Sequence, residues 1–176
     1  MNITIRQETE KDYEFSETVV EKAFKNAEHS DHTEQFLVAK LRKSNVFVPE
    51  LCLVAEINEE IVGHIMLTKL LVKDGEKKYE SLALAPVSVL PEYQNKGIGS
   101  KLILQSLKIS KEMGFESVIV LGHDKYYPRF GFRPASKWGI KTPFDVPDES
   151  FMALELKDGS LDGITGTVVY SKEFFE

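Results

Sequence analysis

Hydrophobic and polar residues change their spacing several times along the chain, and each spacing predicts a type of element. Apolar residues recur at helical intervals from Thr9 to Lys25 and again at Phe36, Leu37 and Leu41, which predicts two helices joined by a polar loop over residues 26–33. Strands are predicted, from alternation or short apolar runs, over Asn2–Arg6, Leu51–Ile57, Ile61–Val72, Tyr79–Leu90, Ser117–Leu121, Phe151–Leu156 and Thr167–Tyr170.

Glycine and proline mark the boundaries of several of these elements. The clearest helix is predicted over Gly97–Met113, where apolar residues form one broad stripe and Gly114 supplies the left-handed ending common at helix C-termini. Asp74-Gly75 predicts a turn between two strands. Pro49 is expected to break the segment that precedes Leu51. Pro86 cannot donate a hydrogen bond to a sheet ladder, so it predicts a bulge or an unpaired edge in the strand that contains it.

The order of the predicted elements indicates the fold class. Helices interrupt a mostly antiparallel run of strands, which is typical of a mixed sheet of the α/β or α+β kind. We expect six to seven strands flanked by helices, in a single domain over residues 1–176. With 42% hydrophobic and 28% charged residues, the chain resembles neither disordered nor fibrous proteins.

Charge and cysteine content narrow the classes of partner. The net charge of −6 argues against nucleic-acid binding, which usually needs a basic face. No apolar run approaches the length of a membrane span, and the N-terminus lacks the pattern of a signal peptide. Cys52 is the only cysteine and is expected in the core, and His29 and His32 lack further metal ligands at suitable spacing. A cytoplasmic protein without nucleic-acid, membrane or metal partners is therefore expected.

The most informative stretch runs from Val87 to Ser100, where a predicted strand leads through a turn into the long helix. The first N–H groups of a helix have no partner within it, and the helix dipole adds partial positive charge at that end. Gly97 and Gly99 allow a ligand to approach the backbone without meeting a Cβ atom, and Lys96 adds a cation. Such a turn suits a phosphate or pyrophosphate.

Two common phosphate motifs do not fit this turn. The chain has neither the P-loop pattern nor the Gly-x-Gly-x-x-Gly fingerprint of dinucleotide-binding proteins. What remains is Gln-x-x-Gly-x-Gly from Gln94, preceded by Val-x-Val-x-Pro-x-Tyr. This string resembles the coenzyme A-binding core of the GNAT acetyltransferase superfamily. A second block supports the resemblance, because Tyr127 followed by Gly131-Phe132 matches a Tyr-x-x-x-Gly-Phe pattern found in that superfamily.

The resemblance implies a coenzyme A-binding core over about residues 80–133, in a sheet splayed between its fourth and fifth strands. The backbone of the fourth strand would pair with the pantetheine arm as an added strand does. Amides of the turn would hold the pyrophosphate, and an amide near Val89 or Leu90 would face the thioester carbonyl. The implied cofactor-binding residues are Val87, Val89, Leu90, Gln94, Asn95, Lys96, Gly97, Ile98, Gly99 and Ser100.

The resemblance also implies that Tyr127 protonates the departing thiolate, with the adjacent Tyr126 as the competing assignment. Gln94 stands where an arginine is commoner, so a guanidinium contact to phosphate is absent. Ala83 lies about where some protein-directed members carry a carboxylate base, which leaves the base unassigned. The candidates are His64, Glu80, His123 and Asp124, unless solvent accepts the proton.

The implied activity is N-acetylation of a primary amine by acetyl-CoA, through direct attack in a ternary complex and without a metal. The acceptor is a small molecule, a peptide N-terminus or a lysine side chain, and Trp138, Phe144 and Phe151 either line its pocket or belong to the core. A homodimer through C-terminal edge strands is possible in principle. The alternatives are a non-catalytic acyl-CoA-binding or sensing module on the same fold, and a nucleotide-binding regulator.

Overall fold

The structure is a computed structural model and describes residues 1–28 and 30–176, so His29 lies outside the described residues. Within that part of the chain, three α-helices and nine strands form, together with short 3₁₀ turns. The helices are α1 (Tyr13–Phe24), α2 (Glu34–Arg42) and α3 (Ile98–Glu112). The strands are β1 (Thr4–Gln7), β2 (Phe47–Ile57), β3 (Glu60–Asp74), β4 (Lys77–Val89), β5 (Ser117–Leu121), β6 (Arg133–Pro134), β7 (Ile140–Lys141), β8 (Phe151–Glu155) and β9 (Gly166–Val169).

The described strands form one mixed sheet, which confirms the predicted fold class. Its hydrogen-bonded order is β1-β2-β3-β4-β5-β8-β6, and β9 pairs with β3 and β7. The β4–β5 and β7–β9 pairs are parallel, whereas β1–β2, β2–β3, β3–β9, β5–β8 and β6–β8 are antiparallel. The sheet has more strands than the six to seven expected, because β6 and β7 are only two residues long and leave no periodic pattern.

By residue contacts the chain divides into two compact units, and the first contains Met1–Thr68, Ala85–Ile109 and Glu176. Here β1, β2 and the start of β3 form an antiparallel ladder. Gly63 on β3 lets α3 approach closely, since a Cβ atom there would lie 3.0 Å from Leu102 Cδ1 and 3.2 Å from Ile98 Cγ2. The helices α1 and α2 contribute buried apolar side chains to the core of this unit: Val19, Val20, Val38 and Leu41.

Pro49 and Pro86 both lie inside strands. Strand β2 begins at Phe47 and includes Pro49, contrary to the predicted break. The ladder with β3 is irregular there, because its register shifts between the Phe47–Thr68 and Cys52–Met66 pairs. A bulge of this kind lets an extended chain accommodate a residue that has no N–H group. Strand β4 likewise continues through Pro86, and the Ala85–Pro86 peptide bond is cis.

The second unit contains Lys69–Leu84 and Ser110–Phe175. Strand β5 pairs in parallel with β4, at Leu82–Val118 and Ala83–Ile119, and antiparallel with β8 along its whole length. The core of this unit consists of Leu70, Val72, Ala83, Ile119, Ala135, Ile140, Phe151, Ala153, Leu161 and Val168. None of the helices in the described part of the chain is both long and apolar enough to cross a bilayer.

Candidate active site

The end of β4 presents backbone groups on the side away from β3. The N–H of Leu90 donates a 2.8 Å hydrogen bond to the carbonyl of Val62. In an antiparallel ladder, successive residues direct their N–H and C=O groups to opposite sides. The amide and carbonyl of Val89 therefore point away from β3, as do those of Val87 while the strand stays regular. These two half-buried residues can pair with an extended ligand arm.

Because its amide is already engaged by Val62, Leu90 cannot serve as the oxyanion donor that the sequence left open. Its side chain is buried at 6% exposure. Of the two residues that were candidates for this role, Val89 is the one whose N–H is directed away from the neighbouring strand. The expectation that Leu90 binds the cofactor through its amide is corrected accordingly.

Gln94 fastens the turn to the end of β4. Its side-chain amide Nε2 donates a 3.0 Å hydrogen bond to the carbonyl of Val89, and its backbone N–H donates to the carbonyl of Pro91 at 3.3 Å. One hydrogen of this side-chain amide is thus used inside the protein, and the second is left as a donor. A carbonyl has a second lone pair, so Val89 keeps one acceptor site for a ligand.

The turn itself is exposed and has an unusual backbone. Asn95 has a φ of 61° and Gly97 a φ of 83°, both in the left-handed region, and Lys96 between them is exposed. A Cβ atom built on Gly97 would have nothing within 4 Å, so the space above this backbone is open. The carbonyl of Gly97 accepts a 3.1 Å bond from the Lys101 amide, which starts α3. A small anion can therefore approach the main chain at Gly97.

The start of α3 has the polarity that an anion needs. Its first turn contains no acidic residue, and the N–H groups of Ile98 and Gly99 cannot be satisfied inside the helix. The side chain of Ile98 is only 1% exposed and contacts the Gly63 backbone region, so this residue can contribute only its amide. Gly99 and Ser100 are half-buried in the same turn. Together with Asn95 and Lys96, these residues fit the diphosphate of a nucleotide-containing cofactor.

Tyr127 lies in the second unit, at the start of a 3₁₀ turn over Tyr127–Phe130. Its side chain is buried at 7% exposure, and its ring is packed edge-on by Tyr126 at 5.2 Å and Phe132 at 5.6 Å between centroids. Gly122 makes room for it, since a Cβ atom at that position would lie 2.5 Å from Tyr127 Cε2. Burial, followed by the neighbouring Tyr126, raises the pKa of the Tyr127 phenol, which therefore stays protonated at neutral pH.

Tyr126 has a different environment. It is half-buried, and the guanidinium of Arg129 lies 4.6 Å from its ring centroid while Arg129 Nε donates a 3.0 Å bond to its carbonyl. The cation covers one face of the ring. Its ring also packs edge-on against Tyr127 at 5.2 Å and Phe130 at 5.3 Å between centroids. The two adjacent phenols therefore differ in burial, since only Tyr127 is buried.

Comparison with known proteins decides the family. A family model described as Acetyltransferase (GNAT) family matches residues 5–132. The chain belongs to the GNAT family. YjhQ of Escherichia coli K12, described as an uncharacterized N-acetyltransferase, is 40% identical over 114 residues, which are 64% of this chain and 63% of that protein. The chain thus spans less than two thirds of the length of that relative.

Other GNAT proteins match over more of their length. YhbS of Escherichia coli K12, also described as uncharacterized, is 28% identical over 139 residues, or 78% of this chain and 81% of that protein. The crystal structure of E. coli YhbS with CoA has a TM-score of 0.89 at 25% identity and covers 100% of this chain and 93% of that one. A Brucella melitensis GNAT acetyltransferase with acetyl-CoA has a TM-score of 0.81 at 31% identity, with 98% of each chain covered.

The candidate bases of this GNAT protein differ sharply in exposure. Glu80, His123 and Asp124 have solvent access, whereas His64 is fully buried. Ala83 belongs to the buried core of the second unit. Among the described residues, His64 is thus the one candidate that the fold removes from solvent.

His64 belongs to a buried polar cluster that the sequence did not predict. Its Nε2 lies 3.3 Å from Glu8 Oε2 and 3.4 Å from Cys52 Sγ, and the Cys52 thiol donates a 3.1 Å bond to Glu8 Oε1. Both carboxylate oxygens of Glu8 also accept bonds from Arg42, at 3.0 and 2.9 Å. Arg42 reaches Glu17 on α1 at 2.6 Å. No sequence spacing links these residues, which come from five separate segments.

These contacts determine which groups of the cluster are ionised. Burial disfavours ionisation of Glu8, but hydrogen bonds from His64 and Arg42 outweigh it and hold the pKa of the carboxyl well below its usual range. Burial, and then the charge of Glu8, raises the pKa of the Cys52 thiol, so Cys52 is a core residue rather than a nucleophile, as predicted. Ligand atoms of Glu8, Cys52 and His64 lie within 4.8 Å of one another. Arg42 already occupies the cation position beside the carboxylate.

The three aromatic residues proposed for an acceptor pocket separate by burial. Phe151 is buried at 4% exposure in the core of the second unit, and Trp138 packs against that core. Phe144 is 37% exposed and lies 5.3 Å from Tyr170 and 5.9 Å from Phe175, between ring centroids. Phe151 is therefore a structural residue, and Phe144 belongs to a surface aromatic cluster.

Proposed function

We propose that this protein is an N-acetyltransferase that moves the acetyl group of acetyl-CoA to a primary amine by direct attack. One observation carries the proposal: the backbone groups of Val89 are directed away from β3, next to a turn whose backbone is open at Gly97. A strand edge followed by an anion-binding helix start suits a long extended arm that ends in a diphosphate. The relatives described as N-acetyltransferases, and the similar structures with CoA or acetyl-CoA, support the same assignment.

Each residue of the turn has a distinct part in holding the co-substrate. The amides of Asn95 to Ser100 surround the diphosphate, and the ammonium of Lys96 adds charge from the solvent side. Gln94 acts indirectly, because its bond to the Val89 carbonyl keeps the turn against the strand. When bound, acetyl-CoA supplies an acyl carbon that forms a bond to nitrogen while its bond to sulfur breaks.

Two groups of the chain assist this reaction, one at the acyl oxygen and one at the sulfur that leaves. The N–H of Val89 donates to the acyl oxygen, where negative charge develops as nitrogen attacks. Tyr127 donates its phenolic hydrogen to the sulfur that leaves. Its raised pKa makes it a hydrogen-bond donor first, with the proton passing as the thiolate separates. A phenol that stays protonated cannot act as a base near neutral pH. A different group must therefore accept the proton that the attacking amine loses.

The acceptor is proposed only as a primary amine, because no observation selects one. The net charge of −6 favours the approach of a cationic amine over an anionic one. A small polyamine, an aminoglycoside, a lysine-containing peptide, a peptide with a free N-terminus and a simple alkylamine together sample the main classes.

Calorimetry and thiol release test the proposal. Acetyl-CoA is expected to bind with a measurable heat, and release of free CoA thiol is expected to depend on at least one amine of that panel. Failure to bind acetyl-CoA at millimolar concentration would remove the assignment altogether. Tight binding without amine-dependent thiol release would instead identify a binding or sensing module. Adenosine phosphates that compete better than CoA would favour a nucleotide-binding regulator.

A further inference from the structure

Two polar atoms on adjacent strands are buried without a hydrogen-bond partner among the described residues. They are Nδ1 of His64 on β3 and Oγ of Ser88 on β4. His64 is 0% exposed and Ser88 is 3% exposed, so bulk solvent does not reach either side chain. A buried polar atom without a partner destabilises the fold, which favours any arrangement that pairs the two.

A cross-strand bond indicates the register of these two residues. The Leu90 amide bonds to the Val62 carbonyl across the β3–β4 ladder, and β3 has a register shift against β2 at Val62, between the Ala55–Gly63 and Glu56–Ile61 pairs. With a regular β3–β4 ladder beyond Val62, counting two residues along each strand brings Ser88 opposite His64. Directly opposed side chains lie on the same face, with Cβ atoms about 4.5–5.5 Å apart. A serine hydroxyl and an imidazole nitrogen at that spacing can bond directly or through one water.

The tautomer of His64 makes the pair complementary. Its Nε2 faces the ionised carboxylate of Glu8 at 3.3 Å, and a nitrogen that donates to a carboxylate carries the ring hydrogen. The lone pair of the neutral ring then sits on Nδ1. This nitrogen is a buried base that lacks a donor, and the hydroxyl of Ser88 is a buried donor that lacks an acceptor.

We propose that Ser88, His64 and Glu8 form the proton acceptor for the amine, an inference that rests on the proposed function. Ser88 immediately precedes Val89, whose amide is assigned to the acyl oxygen. His64 acts behind Ser88, and Glu8 fixes the ring and stabilises it when it is charged.

The proton balance of this relay is simple. As the amine nitrogen bonds to the acyl carbon, one N–H proton passes to Ser88 Oγ while the hydroxyl proton of Ser88 passes to His64 Nδ1. The sulfur takes the proton of Tyr127. His64 then loses a proton to solvent and Tyr127 regains one. The sum is amine plus acetyl-CoA giving amide plus CoA thiol.

Two polar groups of the described residues face the His64 ring. They are the carboxylate of Glu8, which follows β1, and the thiol of Cys52 on β2. Beyond them Arg42 on α2 binds Glu8 and reaches Glu17 on α1. Neither facing group can donate to Nδ1 while Nε2 is directed at Glu8, so the lone pair of Nδ1 stays available to Ser88.

Ser88→Ala is the decisive variant, because it separates a relay from a structural role. It removes the hydroxyl without adding bulk, and the melting temperature shows whether the variant is folded. With the panel amine that the wild-type protein acetylates fastest, kcat should drop about 10²-fold, with the Kd for CoA unchanged. Thr68→Val is the matched control, since Thr68 on β3 also has a fully buried, unpartnered hydroxyl but does not adjoin Val89. It should keep the wild-type kcat.

His64→Gln should lower kcat as Ser88→Ala does. The double variant should be no slower than either single one. If Ser88→Ala retains kcat within about twofold, the relay is excluded while the transferase proposal stands. If the wild-type protein releases no thiol with any amine, the proposed function itself fails.

Nitrogen NMR of the histidine rings tests the contact without activity. In the free protein, His64 should carry its hydrogen on Nε2, and the Nδ1 resonance should shift in Ser88→Ala but not in Thr68→Val. The inference would be overturned by a hydrogen on Nδ1, even if the kinetics agreed. An Nδ1 resonance that is the same in Ser88→Ala as in the wild type would overturn it too.

Discussion

At the scale of single residues, the position of Tyr127 depends on what Gly122 lacks. A Cβ atom on Gly122 would lie 2.5 Å from Tyr127 Cε2, well inside contact distance, and the ring is also packed by other aromatic groups. Gly122→Ala should therefore displace the phenol. A shift of about 1 Å in a reacting group can cost about 10²-fold in rate, so kcat for thiol release should fall by about 10- to 100-fold with the Kd for CoA unchanged.

A double-mutant cycle checks that Gly122 acts through Tyr127. Tyr127→Phe should lower kcat by itself, and adding Gly122→Ala to it should have little further effect. Additive losses would mean that Gly122 acts on some other part of the site. Unchanged turnover in Tyr127→Phe would move the proton-donor role to another group.

Gly97 allows a different test, because the space beside its backbone is open. Gly97→Val would place a side chain where the diphosphate is proposed to lie, and the Kd for CoA by calorimetry should rise at least about tenfold, or about 1.4 kcal/mol. The φ of 83° also makes any L-residue strained there. Gly163→Val supplies the matched control, since Gly163 has a φ of 79° and a Cβ atom on it would likewise have nothing within 4 Å. It should lose similar stability but no affinity.

These residues show which parts of the site a sequence can predict. Gly97 and Tyr127 can be singled out because a glycine before a helix, and a tyrosine at a fixed distance from Gly-Phe, leave local signals. The bonds from the Leu90 amide to Val62 and from the Gln94 side chain to Val89 could not be predicted, because hydrogen-bond partners depend on tertiary structure. The contact between Glu8 and His64 has no local signal, since the two residues are far apart in the chain.

At the scale of elements, the start of α1 is held by an acid–base contact with β1. Asp12 accepts two bonds from the Arg6 guanidinium, at 2.7 and 2.8 Å, and one from the Thr9 amide at 2.8 Å. The bond from Arg6, opposed by burial and aided by Thr9, lowers the pKa of Asp12 from 3.8 to about 2. The contact therefore stabilises the fold fully above about pH 4, and this contribution is lost as the pH falls towards 2.

Asp12→Asn should reduce the free energy of unfolding at pH 7 by about 1–2 kcal/mol, a value discounted for the partly exposed Arg6. Chemical denaturation at several pH values checks this, because the difference from wild type should shrink steadily between about pH 4 and pH 2. Glu14→Gln, at an exposed position of the same first turn, makes the same charge change as a control. It should change stability by no more than about 0.5 kcal/mol at any pH. A constant deficit in Asp12→Asn would show that the carboxylate charge is not what stabilises this end of α1.

Elements were predicted well where periodicity extends over many residues. All three helices and the long strands were predicted near their observed bounds, because burial of one face repeats along them. Pro49 was given too much weight, since a bulge keeps a strand extended around a proline. The two-residue strands β6 and β7 exist only through their partners β8 and β9, so tertiary pairing determines them.

At the scale of the whole molecule, the core of the second unit includes residues that lie beyond the end of the family match. The family model stops at residue 132, where the periodic pattern of the sequence also weakens. In the second unit, however, the chain beyond that point supplies six of the ten residues of the core, among them Phe151, Ala153 and Leu161. It also provides β8, the antiparallel partner of β5 from Ser117–Glu155 to Leu121–Phe151. The segment that carries least family signal is thus part of the scaffold that holds Tyr127.

Truncated chains test whether the segment after residue 132 is needed for folding. A chain that ends at Phe132 would leave one edge of β5 unpaired and would expose core residues such as Ile119, so it should lose the cooperative thermal transition of the full chain. A chain that ends at Ser171 removes only the last 3₁₀ turn and keeps β8 and β9, and it should melt cooperatively with a small change in midpoint. Circular dichroism and calorimetry report both outcomes. If the chain ending at Phe132 melts as cooperatively as the full chain, then the family-matched part folds without β8, and the role of the C-terminal segment must lie outside the stability of the sheet.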